Sequence, residues 1–394
     1  MQISEVLRNF INEHQNDDVR KLLLQKNKYP DIDIPFAVQQ IEGRKKALEK
    51  FPEIAKNENF IYPQKESMEQ CSSEHTARYK ASLIHNATVA DITGGLGIDS
   101  FYFAETNNEV FHIERNPELQ AIASHNFSVF KKDNIESNCV DAIDFLRNTE
   151  HNFDLIYLDP ARRDKQKQKV FLFRDCEPNI IEHAELFFDK AKKVLIKASP
   201  FLDISKAVQE LENVAAVHIV SVKNECKELL FEWGNRSLSP LQIHCINIIA
   251  RENIQSFSFP YDEEKNASIG YSNEVLRYIY EPNTSIIKSG GFKSFGNAYN
   301  LKKLHPNSHL YTSDELIGSF QGRSLLVEEV FALDKKEIGE RLPDRKANVI
   351  VRNFPMSVDE IKTKFRIKDG GDTYLYFTTL NNERKVVVKT KRLP

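Results

Sequence analysis

The residues best placed for chemistry in this chain are three glycines set between two acids, Asp91 and Glu114. Asp91 ends a short β-branched run, 88–92, and Thr93, Gly94, Gly95 and Gly97 follow at once. Glycine lets a backbone turn sharply and approach a ligand closely, because no Cβ stands in the way. A helical pattern begins near Ile98, so the stretch reads as strand, glycine loop, helix. A second strand pattern, Glu109–Ile113, ends in Glu114, where a carboxylate can accept hydrogen bonds from both hydroxyls of a ribose. A third, 136–140, ends at Asp141-Ala142, with the acid in reach of the exocyclic amine of an adenine. Thr93 and Arg115, beside the loop and the second acid, count with the same lining. Together these residues describe a nucleoside-containing cofactor across the carboxyl ends of a parallel sheet.

Two cofactors compete for that description. Gly95-x-Gly97 has the first spacing of a dinucleotide fingerprint, but Ser100 stands where the third glycine belongs, and such a fingerprint alone is weak. A pyrophosphate prefers bare N–H groups at a helix N-terminus, and Asp91 opposes it. The acid suits the ammonium and sulfonium of S-adenosylmethionine. A fourth run, Phe153–Leu158, is apolar throughout but for Asp154, as a strand buried on both faces requires. It ends in Asp159-Pro160-Ala161-Arg162-Arg163.

With these residues the chain resembles the class I S-adenosylmethionine-dependent methyltransferases, whose fourth strand carries an Asp/Asn-Pro-Pro-aromatic motif when the acceptor is an amino nitrogen. More closely, it resembles bacterial methyltransferase-like proteins with a THUMP-like C-terminal domain. In these the run Glu-Gln-Cys-Ser-Ser-Glu-His-Thr-Ala-Arg-Tyr-Lys-Ala (69–81), the glycine loop and the Asp159–Arg163 motif recur in this order. The methyltransferase part is similar, more distantly, to the RNA cap guanine-N2 methyltransferases. The resemblance implies that Asp159 and the carbonyl of Pro160 direct an amino group at the sulfonium methyl. Arg162 stands where the motif has an aromatic ring, and a guanidinium plane can stack on a base or pair with a phosphate.

These residues need a scaffold. The fold class expected is α/β, a Rossmann-like seven-stranded methyltransferase sheet over 67–250, behind an N-terminal helical region, 1–66. Ile3, Val6, Leu7, Phe10 and Ile11 share one helical face, and Val38, Ile41, Leu48 and Phe51 follow Pro35, which suits a helix start. Ser67-x-x-Gln70 has capping-box spacing and opens a helix whose Ser72, Ser73, Glu74, Thr76 and Lys80 can face the cofactor. The sheet finishes with 193–198, 215–222 and 229–233, the last antiparallel beside the fifth. A further strand, 241–250, precedes a polar stretch, 251–266, taken as the domain boundary. Residues 273–322 resemble the small ferredoxin-like domain of the same proteins, and 323–394 the THUMP-like domain. In the latter, Asn348–Arg352, Val358–Phe365 and a hairpin of 373–380 and 385–389 read as βαββ, turning at Asn381-Asn382. Both modules are α+β. Arg352, Lys364, Arg366, Lys368, Lys389, Lys391 and Arg392 are the candidate phosphate-binding face. The short basic run 165–169 is a further candidate contact with an anionic substrate.

Composition limits the alternatives. A chain of 394 residues exceeds one ordinary core, and 28% charged with 41% apolar residues is ordinary for a water-soluble protein. No apolar run approaches the roughly 20 residues of a membrane span, and Met1–Glu5 lacks the basic start of a signal peptide. Five dispersed cysteines fit reduced thiols in a cytoplasm. His305 and His309 flank Pro306 with no third ligand placed nearby, so no metal is expected. A net charge of −3 confines any nucleic-acid surface to a local patch. The expectation is therefore a cytoplasmic, S-adenosylmethionine-dependent methyltransferase acting on tRNA or rRNA at a base amino nitrogen. The alternative is a non-catalytic RNA-binding protein that keeps the cofactor fold. No pattern fixes an oligomeric state.

Overall fold

The structure, a computed structural model, describes residues 3–162, 173–234 and 240–393. The side chain of Arg162, together with Arg163 and the basic run 165–169, lies outside the described residues. The chain forms two compact units: Met1–Val217 with Lys227–Ser239, and His218–Cys226 with Pro240–Pro394.

The first unit is α/β. Its strands are β1 (Thr88–Asp91), β2 (Glu109–Ile113), β3 (Ile135–Asn138), β4 (Phe153–Leu158), the two-residue β5 (Ala161–Arg162) and β6 (Cys176–Glu177), β7 (Ala191–Ala198), and most of the hairpin β8 (Val214–Val222) and β9 (Glu225–Trp233). Side by side the main sheet runs β8-β9-β7-β4-β1-β2-β3, with β9 antiparallel to β7 and β7, β4, β1, β2 and β3 parallel. Seven strands in this order, with the last inserted antiparallel beside β7, match the sheet expected from sequence. β4 shows why a central strand reads as an apolar run. Every residue of it except Asp154 is buried, and each large apolar side chain removed from water contributes about 1.5–3 kcal/mol. Asp154 is tolerated because it accepts the Thr88 N–H at 2.9 Å and pairs with Lys192 at 2.7 Å.

Local signals set the helices that carry the loops. Asn116 caps the helix Pro117–Val129, and Asp141 caps Ala142–Asn148, each side chain accepting N–H groups of the first turn. At the N-terminus, Asp33 caps the helix Ile34–Lys50 with Pro35 in its first turn, and Phe10, Ile11, Leu22, Ile34, Ala37, Val38 and Ile41 form one core. Val6 and Leu48, placed on apolar faces by spacing, are 63% and 52% exposed instead. The capping box at Ser67 is also corrected. Ser67 lies inside the helix Lys65–Gln70, and the cap of the next helix, Glu74–Ala81, is Ser73, which accepts the Thr76 N–H. Spacing alone cannot tell a cap from two polar residues in a last turn.

In the second unit, residues 218–222 at the far end of β8 are followed sideways by β10 (Gln242–Ala250) and β11 (Asn253–Pro260). The polar stretch 251–266 is therefore a strand and the helix Tyr261–Asn266, not a boundary linker. Its Ser256-Phe257-Ser258-Phe259 alternation is the period-2 signal of a strand with one wet face. A second sheet contains β12 (Tyr278–Pro282), β13 (Lys302–Lys303), β14 (Tyr311–Ser313), β15 (Gly322–Ala332), β16 (Asn348–Arg352), β17 (Thr373–Thr379) and β18 (Lys385–Arg392), in the order β13-β14-β12-β15-β18-β17-β16. β16 and β17 are parallel across the helix Val358–Phe365, which carries a full capping box at Ser357 and Glu360. β15 pairs with β12 on one side and β18 on the other, so one sheet runs through both C-terminal modules. β17 buries Leu375 and Phe377 in one core and Tyr376 in another, as strict alternation across a doubly covered sheet demands.

Candidate functional site

A cavity of about 490 Å³ opens at the carboxyl ends of β1, β2, β3 and β4 in the first unit. Its volume falls within the usual range of about 300–1,000 Å³ for small-ligand sites. The glycine loop forms one wall. Gly94 donates to the Ile113 carbonyl at 2.9 Å, and Gly97 to the Gly94 carbonyl at 2.8 Å. Gly95 and Gly97 have φ of 58° and 79°, the left-handed region that glycine enters without strain. Gly94 is required for another reason. A Cβ there would stand 2.3 Å from Cδ2 of His112, whose ring is buried beneath the loop.

His112 escaped the sequence reading, since a lone histidine in an apolar strand carries no motif. Its Nε2 lies 3.2 Å from the Gly95 carbonyl and its Nδ1 3.0 Å from Ser137 Oγ. Burial pushes it down to about 4, against hydrogen bonds that favour its charge, so it is a neutral prop for the loop at physiological pH.

Glu114 lines the cavity as expected. Its Oε2 accepts the Gly95 N–H at 2.9 Å and its Oε1 the Asn116 N–H at 2.7 Å, which holds the carboxylate at the strand tip. Each oxygen keeps a second lone-pair direction for a ligand donor. Thr93, Gly94, Gly95, Gly97, Arg115, Asp141 and Ala142 also line the cavity. Arg115 pairs with Glu177, and Asp141 spends Oδ1 on capping, accepting from Ile143 at 2.8 Å and Asp144 at 3.3 Å.

Asp91 is the exception. It is buried and is not among the lining residues; it accepts from Ser100 Oγ at 2.6 Å and from the Thr93 N–H at 3.4 Å. Burial and the nearby Asp99 push its carboxyl up to about 7, only partly opposed by those hydrogen bonds. The charge expected from Asp91 at the cavity wall comes from Asp99, in the first turn of the helix Ile98–Phe103. Burial opposes that charge, but Lys80 and Lys197, with hydrogen bonds from Ser72 and Tyr157, hold Asp99 below the usual carboxylate range. Ser72 Oγ and Tyr157 Oη each donate to Oδ2 at 2.8 Å, and Lys80 Nζ lies 3.2 Å from Oδ1. Lys80 is fully buried and also pairs with Glu228 at 2.9 Å. Of the polar set proposed to face the cofactor, Ser72 lines the cavity; Ser73 and Thr76 are engaged in the cap, Glu74 pairs with Arg78, and Lys80 lies in the buried ionic cluster.

Asp159 forms another part of the wall. Its N–H donates to Thr93 Oγ1 at 2.6 Å, and its carboxylate pairs with Lys197. Pro160 is buried and not among the lining residues, whereas Ala161 lines the cavity. The backbone of Arg162 pairs with Cys176 in the β5–β6 ladder.

This geometry agrees with three kinds of likeness. Residues 278–320 match a ferredoxin-like domain family and 322–392 a THUMP domain-like family. A Porphyromonas gingivalis W83 protein whose crystal structure was described as that of a candidate methyltransferase is 31% identical, aligns over 100% of both chains and superposes with a TM-score of 0.89. The chain belongs to that protein's family, methyltransferase-like chains with a THUMP-like C-terminal domain. Curated relatives match a shorter stretch. The ribosomal RNA small subunit methyltransferase J of Bdellovibrio bacteriovorus is 32% identical over 97 residues, which is 22% of this chain and 38% of that one. The enzyme of the same name from Coxiella burnetii is 34% identical over 89 residues, 21% of this chain and 35% of its own. The match thus spans little more than a third of those relatives' length.

The THUMP-like part of the family member carries the candidate phosphate face. Arg352 pairs with Glu281, Lys389 with Glu328 and Glu329, and Lys391 with Glu328 at 2.9 Å. Arg392 lies over the Tyr374 ring. Lys364, Arg366 and Lys368 are exposed at the end of the helix Val358–Phe365 and just beyond it. His305 contacts Asn353 at 2.9 Å and Glu383 at 3.2 Å, and His309 stacks on Phe292. Among the described residues no group of three or more His, Cys, Asp or Glu is arranged to hold a metal, and no helix is long and apolar enough to cross a membrane.

Proposed function

We propose that this chain is an S-adenosylmethionine-dependent methyltransferase that modifies RNA, rRNA before tRNA, at a base amino nitrogen. The observation that carries the reading is one cavity holding both a strand-tip acid of the ribose-binding kind, Glu114, and the acid of the Asp159 motif, each hydrogen-bonded to a residue of the 93–97 loop. The donor set fits the cofactor. Asp99, Glu114, Asp141, Asp144, Asp159 and Glu177 outnumber Arg115 and Arg147 on the wall, which favours a ligand with cationic ammonium and sulfonium groups over a pyrophosphate. A Cβ at Gly95 would meet nothing closer than 3.9 Å, so the loop offers the ligand bare backbone.

Bound there, the cofactor supplies an electrophilic methyl on an already good leaving group. The protein's task is then alignment, which alone can lower a barrier by several kcal/mol. In this reading Glu114 takes the ribose hydroxyls, Asp141 and Ala142 the adenine, and Asp99, in place of Asp91, the ammonium. Asp159 accepts a hydrogen bond from the acceptor amino group, so that its lone pair faces the methyl, while Pro160, buried behind the wall, sets the turn that presents it, and Arg162 holds the base or a phosphate. Lys364, Arg366 and Lys368 are the proposed phosphate contacts of the THUMP-like part. The division into 1–66, 67–250, 273–322 and 323–394 is proposed as a functional one only, since the compact unit that holds the cavity ends at Ser239, and the cytoplasm is the proposed compartment. The relatives named for rRNA small subunit methylation support the choice of RNA.

Calorimetry with S-adenosylhomocysteine and NAD, followed by transfer of labelled methyl groups to total RNA, tests the reading. S-adenosylhomocysteine should bind and label should enter RNA. Tight NAD binding with no labelled RNA would overturn it.

A further inference from the structure

Lys197 has no role in the scheme above, yet its ammonium makes an ion pair with the Asp159 carboxylate. Strands β4 and β7 are parallel neighbours with Leu158 opposite Ile196, so Asp159, just past the end of β4, comes beside Lys197, still within β7. The pair is sunk on one side and open on the other, with side-chain exposures of 14% for Lys197 and 39% for Asp159. The Thr93 hydroxyl fixes the backbone of Asp159; the ammonium fixes its side chain.

The surroundings explain why this lysine stays charged. Asp159, Glu228 and Asp99 face it, and it acts in turn on Lys50 and Cys71. Burial works against the ammonium, but the three carboxylates outweigh it and raise Lys197 above the ordinary lysine value. Lys80 is already shared by Asp99 and Glu228 at 3.2 and 2.9 Å, and among the described residues the cation paired with Asp159 is Lys197.

We propose that Lys197 is a positioning residue for the methyl acceptor, holding the Asp159 carboxylate in one orientation at the cavity wall. The inference rests on the reading of Asp159 as the acid that receives the amino group. It explains why an acid, rather than a neutral amide, works at this position beside Asp99 and Glu228: a lysine directly beneath it cancels the excess negative charge.

A double-mutant cycle read by single-turnover methyl transfer tests this. Lys197→Met should lower the rate about 100-fold, the scale of a misplaced reacting group, with S-adenosylhomocysteine affinity unchanged. Lys197→Arg should restore most of the rate. In the Asp159→Asn background, where the amide needs no counter-charge, Lys197→Met should cost less than about threefold. The second readout needs no turnover. In a crystal structure of Lys197→Met, the Asp159 carboxylate should turn away from its wild-type position while its N–H still donates to Thr93 Oγ1. Equal losses in both backgrounds, or an Asp159 carboxylate that keeps its position in Lys197→Met, overturn the proposal. No transfer by the wild type would count against the function proposed above, and the position of the carboxylate in Lys197→Met would still decide whether Lys197 governs Asp159.

Discussion

The two units use the same residue types, lysine beside carboxylate, to opposite ends. Around the cavity of the first unit the lysines are sunk and the pairing is uneven: Lys80, fully buried, serves both Asp99 and Glu228, and Lys197, 14% exposed, stands beneath an Asp159 that is open on one side. On the sheet of the second unit they are partly exposed and evenly matched, Lys389 and Lys391 against Glu328 and Glu329. Charge taken out of water is costly unless every group is paired, so a buried cluster at the edge of a cavity leaves its carboxylates in fixed positions. Charge left near the surface is screened and cancels its neighbour. A run of lysines in a sequence is therefore poor evidence for a phosphate site, and an isolated acid next to a glycine loop is better evidence for a ligand site.

The comparison breaks most visibly in stability. Lys80→Met leaves Asp99 and Glu228 without their shared cation and should cost about 3–5 kcal/mol in urea denaturation. If Lys80→Met were nearly neutral, the buried cluster would be no more important than the surface pairs.

Acidity offers the next test. The folded chain keeps a proton on Asp91 up to about pH 7, whereas an ordinary aspartate loses it near 3.8. That proton's contribution to stability is whole below the lower value and is lost as pH rises to the upper one. Asp91→Asn is neutral throughout, so its stability relative to the wild type should improve by about 2 kcal/mol between pH 5 and pH 7. His112 runs the other way, its contribution whole above 6.5 and lost as pH falls to about 4. A flat difference between Asp91→Asn and wild type would show Asp91 to be charged and facing solvent.

Two smaller effects sharpen the contrast. Glu114→Ala removes the proposed ribose acceptor and should weaken S-adenosylhomocysteine by about 1–3 kcal/mol, the scale of hydrogen bonds to a charged group, as calorimetry would record. Lys389→Met should change the unfolding free energy measured in urea by no more than about 1 kcal/mol. A larger loss at Lys389 would place the second unit's pairs in the same class as Lys80.

Much of this architecture can be read without coordinates where local pattern and tertiary demand agree. Phe153–Leu158, Asn348–Arg352 and Val358–Phe365 end at the expected residues, because an apolar strand run and a capped amphipathic helix are set by near neighbours. The strand tips that carry Glu114, Asp141 and Asp159 follow from the same patterns. What sequence hides is direction. Asp91 and Asp99 both flank the glycine loop, and nothing in their spacing says that the first turns inward to Ser100 while the second lines the cavity. The Lys197–Asp159 pair joins residues 38 apart in the chain, visible only once β4 and β7 lie side by side. Of the seven cations of the C-terminal part, Lys389 and Lys391 face Glu328 and Glu329 only through the register of β15 on β18, which spacing in one strand does not show.

The central claim is that Asp159 presents an RNA amino group to a methyl donor held over Glu114. Its most direct test is nucleoside mass spectrometry of RNA incubated with methyl-labelled S-adenosylmethionine and either wild type or Asp159→Ala. The account predicts one amino-methylated nucleoside with the wild type, and its loss by about 100-fold or more in Asp159→Ala while S-adenosylhomocysteine still binds. Undiminished transfer by Asp159→Ala, or label found only on ribose or carbon positions, would contradict it.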